Sequence, residues 1–235
     1  MTKAMQRIKA LCEKTAALEF ENWLSTVLQW PNATAVFHSL AVAADKEALL
    51  DHLATLRYSL IFGYLGFVVS FEPTGTQGPD LLITRDGISA TVEVTRFRSI
   101  NPGPSVLSDE KLQSDELILE PYGNPGRDVP KSLRKIKEKF RQALAPHAII
   151  AVWNDDEALE ELEMSIALRN LRRDSSLPVG LDFVIYGSRW ISCVQLHIFF
   201  MKPQLDPVIQ QWAQQIKSVN VRVAIQNYIQ KNTEN

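Results

Sequence analysis

Cysteine is scarce in this chain: Cys12 and Cys193 are the two present among 235 residues. They are far apart and have no metal-ligand spacing, so the pattern favours a reduced, cytoplasmic protein. A large excess of charge of one sign is also lacking, since the net charge is -2 and the sequence pI is about 6.1. This balance argues against a uniformly basic nucleic-acid-binding coat, although local basic patches remain compatible with it.

Long apolar runs are absent as well. No stretch approaches the length needed to cross a bilayer, and charged residues interrupt the N-terminal region where a signal peptide would need an apolar core. The sequence therefore predicts a protein without a membrane partner. Gly75 and Gly78 lack the glycine-lysine-hydroxyl sequence of a nucleotide-binding loop. The histidines are scattered without metal-ligand spacing: His38, His52, His147 and His197.

The apolar content, 46%, is enough for one sizeable core, or for one core with a helical appendage. A helical pattern extends from Ala4 to Trp30. Asp45 is a predicted N-cap for a second helix that runs towards Phe62. Residues 147–153 form a nearly continuous apolar run, which is typical of a central strand buried on both faces.

A β-hairpin is predicted between residues 78 and 98. Its two strands are joined at Arg85-Asp86-Gly87, because an Asp-Gly pair tolerates the positive φ angles of tight turns. Alternation in the second strand places Ile88 and Val92 on a buried face and Glu93 on a polar face. Pairing the two strands brings Asp80 and Glu93 towards one edge, where two carboxylates form a minimal site for a hard divalent cation.

At these residues the chain resembles the PD-(D/E)XK phosphodiesterase superfamily, which has the restriction-endonuclease-like fold. Pro79-Asp80 matches the first half of the motif, and Glu93-Val94-Thr95 matches the second half except that Thr95 stands in place of the lysine. The resemblance implies that Asp80, Glu93 and the backbone carbonyl of Val94 bind Mg²⁺ or Mn²⁺. It also implies catalytic roles for Asp80 and Glu93. The alternative for the two acids is a plain turn residue and a solvated strand residue.

The predicted element order is a helix, three strands, a helix and a strand, which is the core order that the resemblance implies. The expected fold class is therefore α/β, with a restriction-endonuclease-like core, a mixed central sheet flanked by helices and an N-terminal helical segment. Residues 1–44 would form that segment and residues 45–235 the core domain. Residues 99–130, rich in proline, glycine and acids, are expected to form a flexible insertion. Pro130 would lie in the first turn of the next helix.

Thr95 has no charge with which to replace the missing lysine. We therefore expect either that a bulge redirects Arg96 or that a lysine from the following helix reaches the site, with Lys135 preferred to Lys131. If neither occurs, the chain is a relative with impaired catalysis. The resemblance also suggests a further acid from the preceding helix, and its candidates are Glu47 and Asp51, whose alternative is ordinary solvent-facing charge.

The helix after residue 130 is strongly basic, and its cations could neutralise phosphates in a salt-dependent, sequence-tolerant way. A solvated helix face is the alternative. The residues predicted to contact nucleic acid are Lys131, Arg134, Lys135, Arg96 and Arg98.

Two functions follow. The first is a metal-dependent phosphodiester hydrolase, a nuclease acting on DNA. The second is a non-catalytic relative of the fold that binds nucleic acid or protein. A third interpretation is a scaffold that forms a homodimer through its N-terminal helices.

Overall fold

The computed structural model describes residues 1–72, 75, 78–98, 125–143, 146–155, 161–188 and 196–233. Within them the helices are α1 (Thr2–Leu11), α2 (Lys14–Val27), α3 (Ala33–Val42), α4 (Lys46–Tyr64), α5 (Pro125–Glu138), α6 (Glu161–Leu171), α7 (Pro207–Lys217) and α8 (Val221–Thr233). The strands are β1 (Val68–Phe71), β2 (Leu81–Arg85), β3 (Ile88–Phe97), β4 (Ala148–Asn154), β5 (Leu181–Ser188) and β6 (His197–Phe200).

The strands form one open, mixed sheet in the order β1-β2-β3-β4-β5-β6. Strands β1, β2 and β3 pair antiparallel, and β4 and β5 continue the sheet in parallel with β3. Strand β6 forms the far edge and pairs antiparallel with β5. The parallel pairs need crossover connections. These connections contain α5 and α6. The expected α/β class, with a mixed central sheet flanked by helices, is confirmed.

Helices pack against both faces of the sheet. On one face, apolar residues of α1 to α4, α7 and α8 share a single core with the sheet, and the largest fully buried side chain there is Trp212. On the other face, α5 and α6 pack around Phe97, Ile136 and Met164. A sheet covered on both faces explains why every residue of β4 is buried, as its continuous apolar run predicts.

The hairpin between β2 and β3 has the predicted turn. Asp86 and Gly87 have φ angles of 54° and 79°, the left-handed conformation that a two-residue turn requires. Asp45 caps α4 as expected, because its Oδ1 atom accepts a hydrogen bond from the Ala48 amide at 2.8 Å. The structure thus confirms the helix start and the hairpin turn that these two local signals predict.

Three sequence expectations differ from the structure. The helical pattern before Trp30 is two helices, because Cys12 has an extended backbone between them. Helix α5 begins at Pro125, so Pro130 lies inside it and not in its first turn. The polar face predicted for β3 is wrong in its second half: Glu93 is 1% exposed and Thr95 is 5% exposed.

The predicted insertion at residues 99–130 falls mostly outside the described residues, which resume at Pro125. Among the described helices, none combines the length and the hydropathy required to cross a membrane.

Candidate functional site

Asp80 and Glu93 are neighbours across the hairpin. Leu81 pairs with Val92, so the next antiparallel pair in the same register is Asp80 with Glu93. Directly opposed residues project from the same face of a sheet. The Oδ2 atom of Asp80 also accepts a hydrogen bond from the Val94 amide at 2.7 Å. This bond holds the Asp80 carboxylate next to Val94, the residue after Glu93.

Burial disfavours the ionised forms of both acids, and the charge of Asp80 adds to this effect at Glu93. Burial, followed by the charge of Asp80, raises the pKa of Glu93 to about 8. Burial also raises the pKa of Asp80, although the Val94 amide and the charge of Lys139 act in the opposite direction. The Oε2 atom of Glu93 has no hydrogen-bond partner among the described residues. If Glu93 is protonated, it becomes a donor to Asp80, so the pair favours one shared proton.

Lys139 provides the positive charge of this site. Its Nζ atom lies 2.6 Å from Oε1 of Glu93. Burial lowers the pKa of Lys139, but the charge and hydrogen bond of Glu93 outweigh burial and raise it, so the ammonium stays charged. Lys139 follows α5 and precedes a 3₁₀ turn, Phe140–Gln142. The side-chain Nε2 atom of Gln142 donates to the carbonyl of Gly78 at 3.3 Å and so ties this segment to the loop before Asp80.

The donor set of the site suits a hard divalent cation. The buried carboxylate of Glu93 and the half-buried carboxylate of Asp80 lie near the ammonium of Lys139, and one carboxylate oxygen of Glu93 is unpaired among the described residues. The carbonyl of Val94 lies on the same edge of β3 as its amide and can add a third oxygen. Mg²⁺ keeps several waters and needs few protein oxygens. In the described part of the chain, no group of three or more His, Cys, Asp or Glu side chains is arranged as a metal site.

Lys135 does not make the contact predicted for it. Its Nζ atom donates to the backbone carbonyl of Arg96 and lies 5.2 Å from the centre of the Phe97 ring. The lysine that meets Glu93 is Lys139, one turn further along. Thr95 lies on the same face of β3 as Glu93 and is buried. A lysine from the following segment therefore occupies this region, as one of the sequence alternatives proposed, but its residue number differs from the preferred choice.

Arg96 lies on the other face of β3 and is nearly enclosed. It contacts Asp51 at 3.0 Å and Asp155 at 2.7 Å, and it also pairs with Glu47. β3 pairs with β4 in continuous register from Thr91 to Phe97, so the bulge considered for Arg96 is not present. A guanidinium held by three carboxylates does not present its charge to a phosphate, which contradicts the nucleic-acid contact predicted for this residue.

The remaining predicted residues lie on α4, directly after β3 and on α5. Arg98 is half-exposed and pairs with Asp51, so Glu47 and Asp51 hold arginines on the α4 side of the sheet rather than extend the Asp80–Glu93 pair. Arg134 has a largely exposed side chain, 79%, with a 4.0 Å contact to Glu138. Lys131 is half-buried.

The outer surface of α5 carries a groove of about 660 Å³. Pro130 and Leu133 form apolar parts of its wall, and three cations lie around it, Arg134, Lys137 and Arg141. Lys137 pairs with Asp174. The basic helix of the sequence thus offers Arg134 and Arg141 to solvent, while Lys135 and Lys139 turn towards β3.

Lys139 and Gln142 are the site residues that sequence reasoning did not select. The available signal was their spacing from Ile136, a core position of α5, which sets the direction in which each residue projects. No protein-family model, curated protein or solved structure matches the chain. Function is therefore inferred from the chemistry of this site.

Proposed function

We propose that the chain is a metal-dependent phosphodiester hydrolase that acts on DNA, with Asp80, Glu93 and Lys139 as its central residues. The observation that carries this proposal is the contact of the buried Glu93 carboxylate with Lys139, beside the half-buried carboxylate of Asp80. Ionisable groups with strongly shifted pKa values are enriched at functional sites, and Glu93 is such a group. The restriction-endonuclease-like core is part of the proposal, and the order α4, β1, β2, β3, α5, β4 supports it.

In this proposal Asp80, Glu93 and the carbonyl of Val94 hold Mg²⁺ or Mn²⁺. The bound ion would neutralise charge on the phosphate and lower the pKa of an attacking water. Lys139 keeps Glu93 in position through their 2.6 Å contact. Its remaining ammonium hydrogens can donate to the water or to a phosphate oxygen that gains negative charge. Lys139 thereby performs the role that Thr95 cannot.

Hydrolysis adds the oxygen of water to phosphorus and breaks one P–O ester bond, which leaves a phosphate monoester and a hydroxyl group. The chain's own residues orient the water and stabilise the charge that develops. The Gln142 contact with the Gly78 carbonyl keeps the loop carrying Asp80 beside Lys139. Correct placement of these groups within a fraction of an ångström is what separates a catalytic cluster from a structural one.

The direct test is cleavage of supercoiled and linear DNA with Mg²⁺, with Mn²⁺ and with a chelator present. We expect metal-dependent cleavage by the wild type and none above background by Asp80→Asn or Glu93→Gln. Calorimetric titration should show metal binding by the wild type that both variants lose. Glu138→Gln is the matched control, because Glu138 is an exposed acid at the end of α5. Absence of metal binding by the folded wild type would end the proposal.

A second candidate is a nucleic-acid-binding module without cleavage, and the cationic groove on α5 favours it. Arg134 and Arg141 lie beside that groove and project from the surface. Each phosphate contact contributes to the salt dependence of binding. If this candidate holds, DNA affinity survives Asp80→Asn and Glu93→Gln but weakens, with a smaller salt slope, in Arg134→Gln/Arg141→Gln. Unchanged affinity in that double variant would reduce the groove to an ordinary solvated surface.

A further inference from the structure

A second polar cavity lies at the β6 edge of the sheet, away from the hairpin that carries Asp80 and Glu93. Its volume is about 460 Å³, within the range of small-molecule sites. Arg172 from the end of α6 and Lys202 from the segment after β6 contribute cations to its wall. Gln204 and Gln210 contribute side-chain amides. This set of groups is rich in hydrogen-bond donors.

A buried acid, Asp182, holds Lys202 in place. Asp182 is 2% exposed and makes two contacts: Oδ1 lies 2.5 Å from Nζ of Lys202, and Oδ2 lies 2.9 Å from Nδ1 of His147. An ammonium group has three hydrogens, and Asp182 occupies one of them. The buried carboxylate therefore fixes the position of the ammonium and leaves donors for a ligand.

Arg172 supplies a positive charge that no carboxylate of the described residues balances. Among the described residues its side chain has no carboxylate partner, whereas the charge of Lys202 is balanced by Asp182. A guanidinium presents a planar fork that matches the oxygens of carboxylate and phosphate. We propose that this cavity binds the oxyanion group, phosphate or carboxylate, of a small molecule. Arg172 and Lys202 contact the anion, and Asp182 positions Lys202.

The test is amide chemical-shift mapping of the full chain, titrated separately with inorganic phosphate, with acetate and with chloride at equal ionic strength. Phosphate or acetate should produce saturable shifts at the backbone amides of Lys202, Gln204, Leu205 and Gln210. Arg172→Gln should weaken that binding about tenfold, which corresponds to the loss of one charge-assisted hydrogen-bond pair. Arg173→Gln is the control, because Arg173 is also exposed but lies outside the cavity lining.

Stronger binding of phosphate would identify a phosphorylated ligand, and stronger binding of acetate would identify a carboxylic acid. Either result supports the oxyanion site. Identical shifts with chloride, or equal weakening by Arg172→Gln and Arg173→Gln, would show nonspecific charge screening and overturn it. The outcome is independent of cleavage at Asp80 and Glu93, because neither variant alters the hairpin.

Discussion

The Nζ atom of Lys139 lies 2.6 Å from Oε1 of Glu93, although 46 residues separate the two in the sequence. The contact joins the segment after α5 to the middle of β3, a strand that is buried on both faces at this point. An ammonium group at this position loses much of its hydration, and the acidic side chains beside it must compensate for that loss. Lys139 is therefore the residue on which the site's chemistry can be tested most directly.

Lys139→Met should reduce metal-dependent DNA cleavage by roughly 100-fold or more, the usual cost of removing one group that stabilises developing charge. Metal binding by Asp80 and Glu93 should remain. Lys135→Met is the control, since Lys135 donates to the Arg96 carbonyl and not to Glu93. Single-turnover cleavage at saturating metal measures both variants. Wild-type cleavage by folded Lys139→Met would contradict the assigned role.

The free energy of unfolding of the metal-free protein should fall as the pH rises from about 4.5 to about 8. Burial and Asp80 raise the pKa of Glu93 from 4.5 to about 8, so in this window the folded state keeps a proton that the unfolded state releases. The loss should be roughly 3–5 kcal/mol at most, at about 1.4 kcal/mol per pKa unit. Above pH 8 this contribution should be constant.

Urea unfolding at half-unit pH steps, with a chelator present, measures that slope. Glu93→Gln should flatten it, because a neutral amide has no proton to retain. Below pH 4.5 both states bind the proton, and other acids then dominate the dependence. The same slope between pH 5 and 8 in the wild type and in Glu93→Gln would show that Glu93 does not retain a proton in the folded state.

Local sequence signals predicted the elements that carry the acids. Asp86-Gly87 determined the hairpin turn, and the turn fixed the register that opposes Asp80 and Glu93. The polar and apolar alternation of β3, in contrast, suggested an exposed face at Glu93 and Thr95. That face is covered by residues distant in sequence, and alternation within a strand contains no information on what packs against it.

The choice of lysine failed for a related reason. The sequence places Pro130 in the first turn of a helix, where proline is favoured, but α5 begins at Pro125. Which residue of a basic helix reaches a given strand depends on how the helix is rotated and where it crosses the sheet. Lys135 and Lys139 lie four residues apart on one side of the chain, and tertiary packing alone assigns one to Arg96 and the other to Glu93.

Arg96→Met should destabilise the protein by about 3–5 kcal/mol, because it leaves Glu47, Asp51 and Asp155 without the buried cation that joins α4 to β3 and β4. Arg98→Met is the control. Its side chain is 45% exposed, and exposed ion pairs contribute about 0–1 kcal/mol. Urea unfolding at pH 7 compares the two. Equal effects would show that the three acids are sufficiently hydrated without Arg96.

Gly63→Ala should also destabilise the protein, despite the higher helix propensity of alanine. A Cβ atom at this position of α4 would lie 2.8 Å from the Trp30 ring and 2.9 Å from the Tyr228 ring. Trp30 stacks on Phe71 with 6.1 Å between ring centres, so its ring has little room to move. Overpacking costs about 1–3 kcal/mol, which exceeds or cancels the gain of about 1 kcal/mol from propensity.

The same substitution in a Tyr228→Ala background tests the cause of that loss. Removing the Tyr228 ring gives the new methyl group space on one side, so Gly63→Ala should cost less there than in the wild type. A double-mutant cycle from urea unfolding measures this coupling, which should exceed about 0.5 kcal/mol for residues in contact. Additive effects would mean that the rings at Gly63 move apart freely and that α4 and α8 are not tightly packed there.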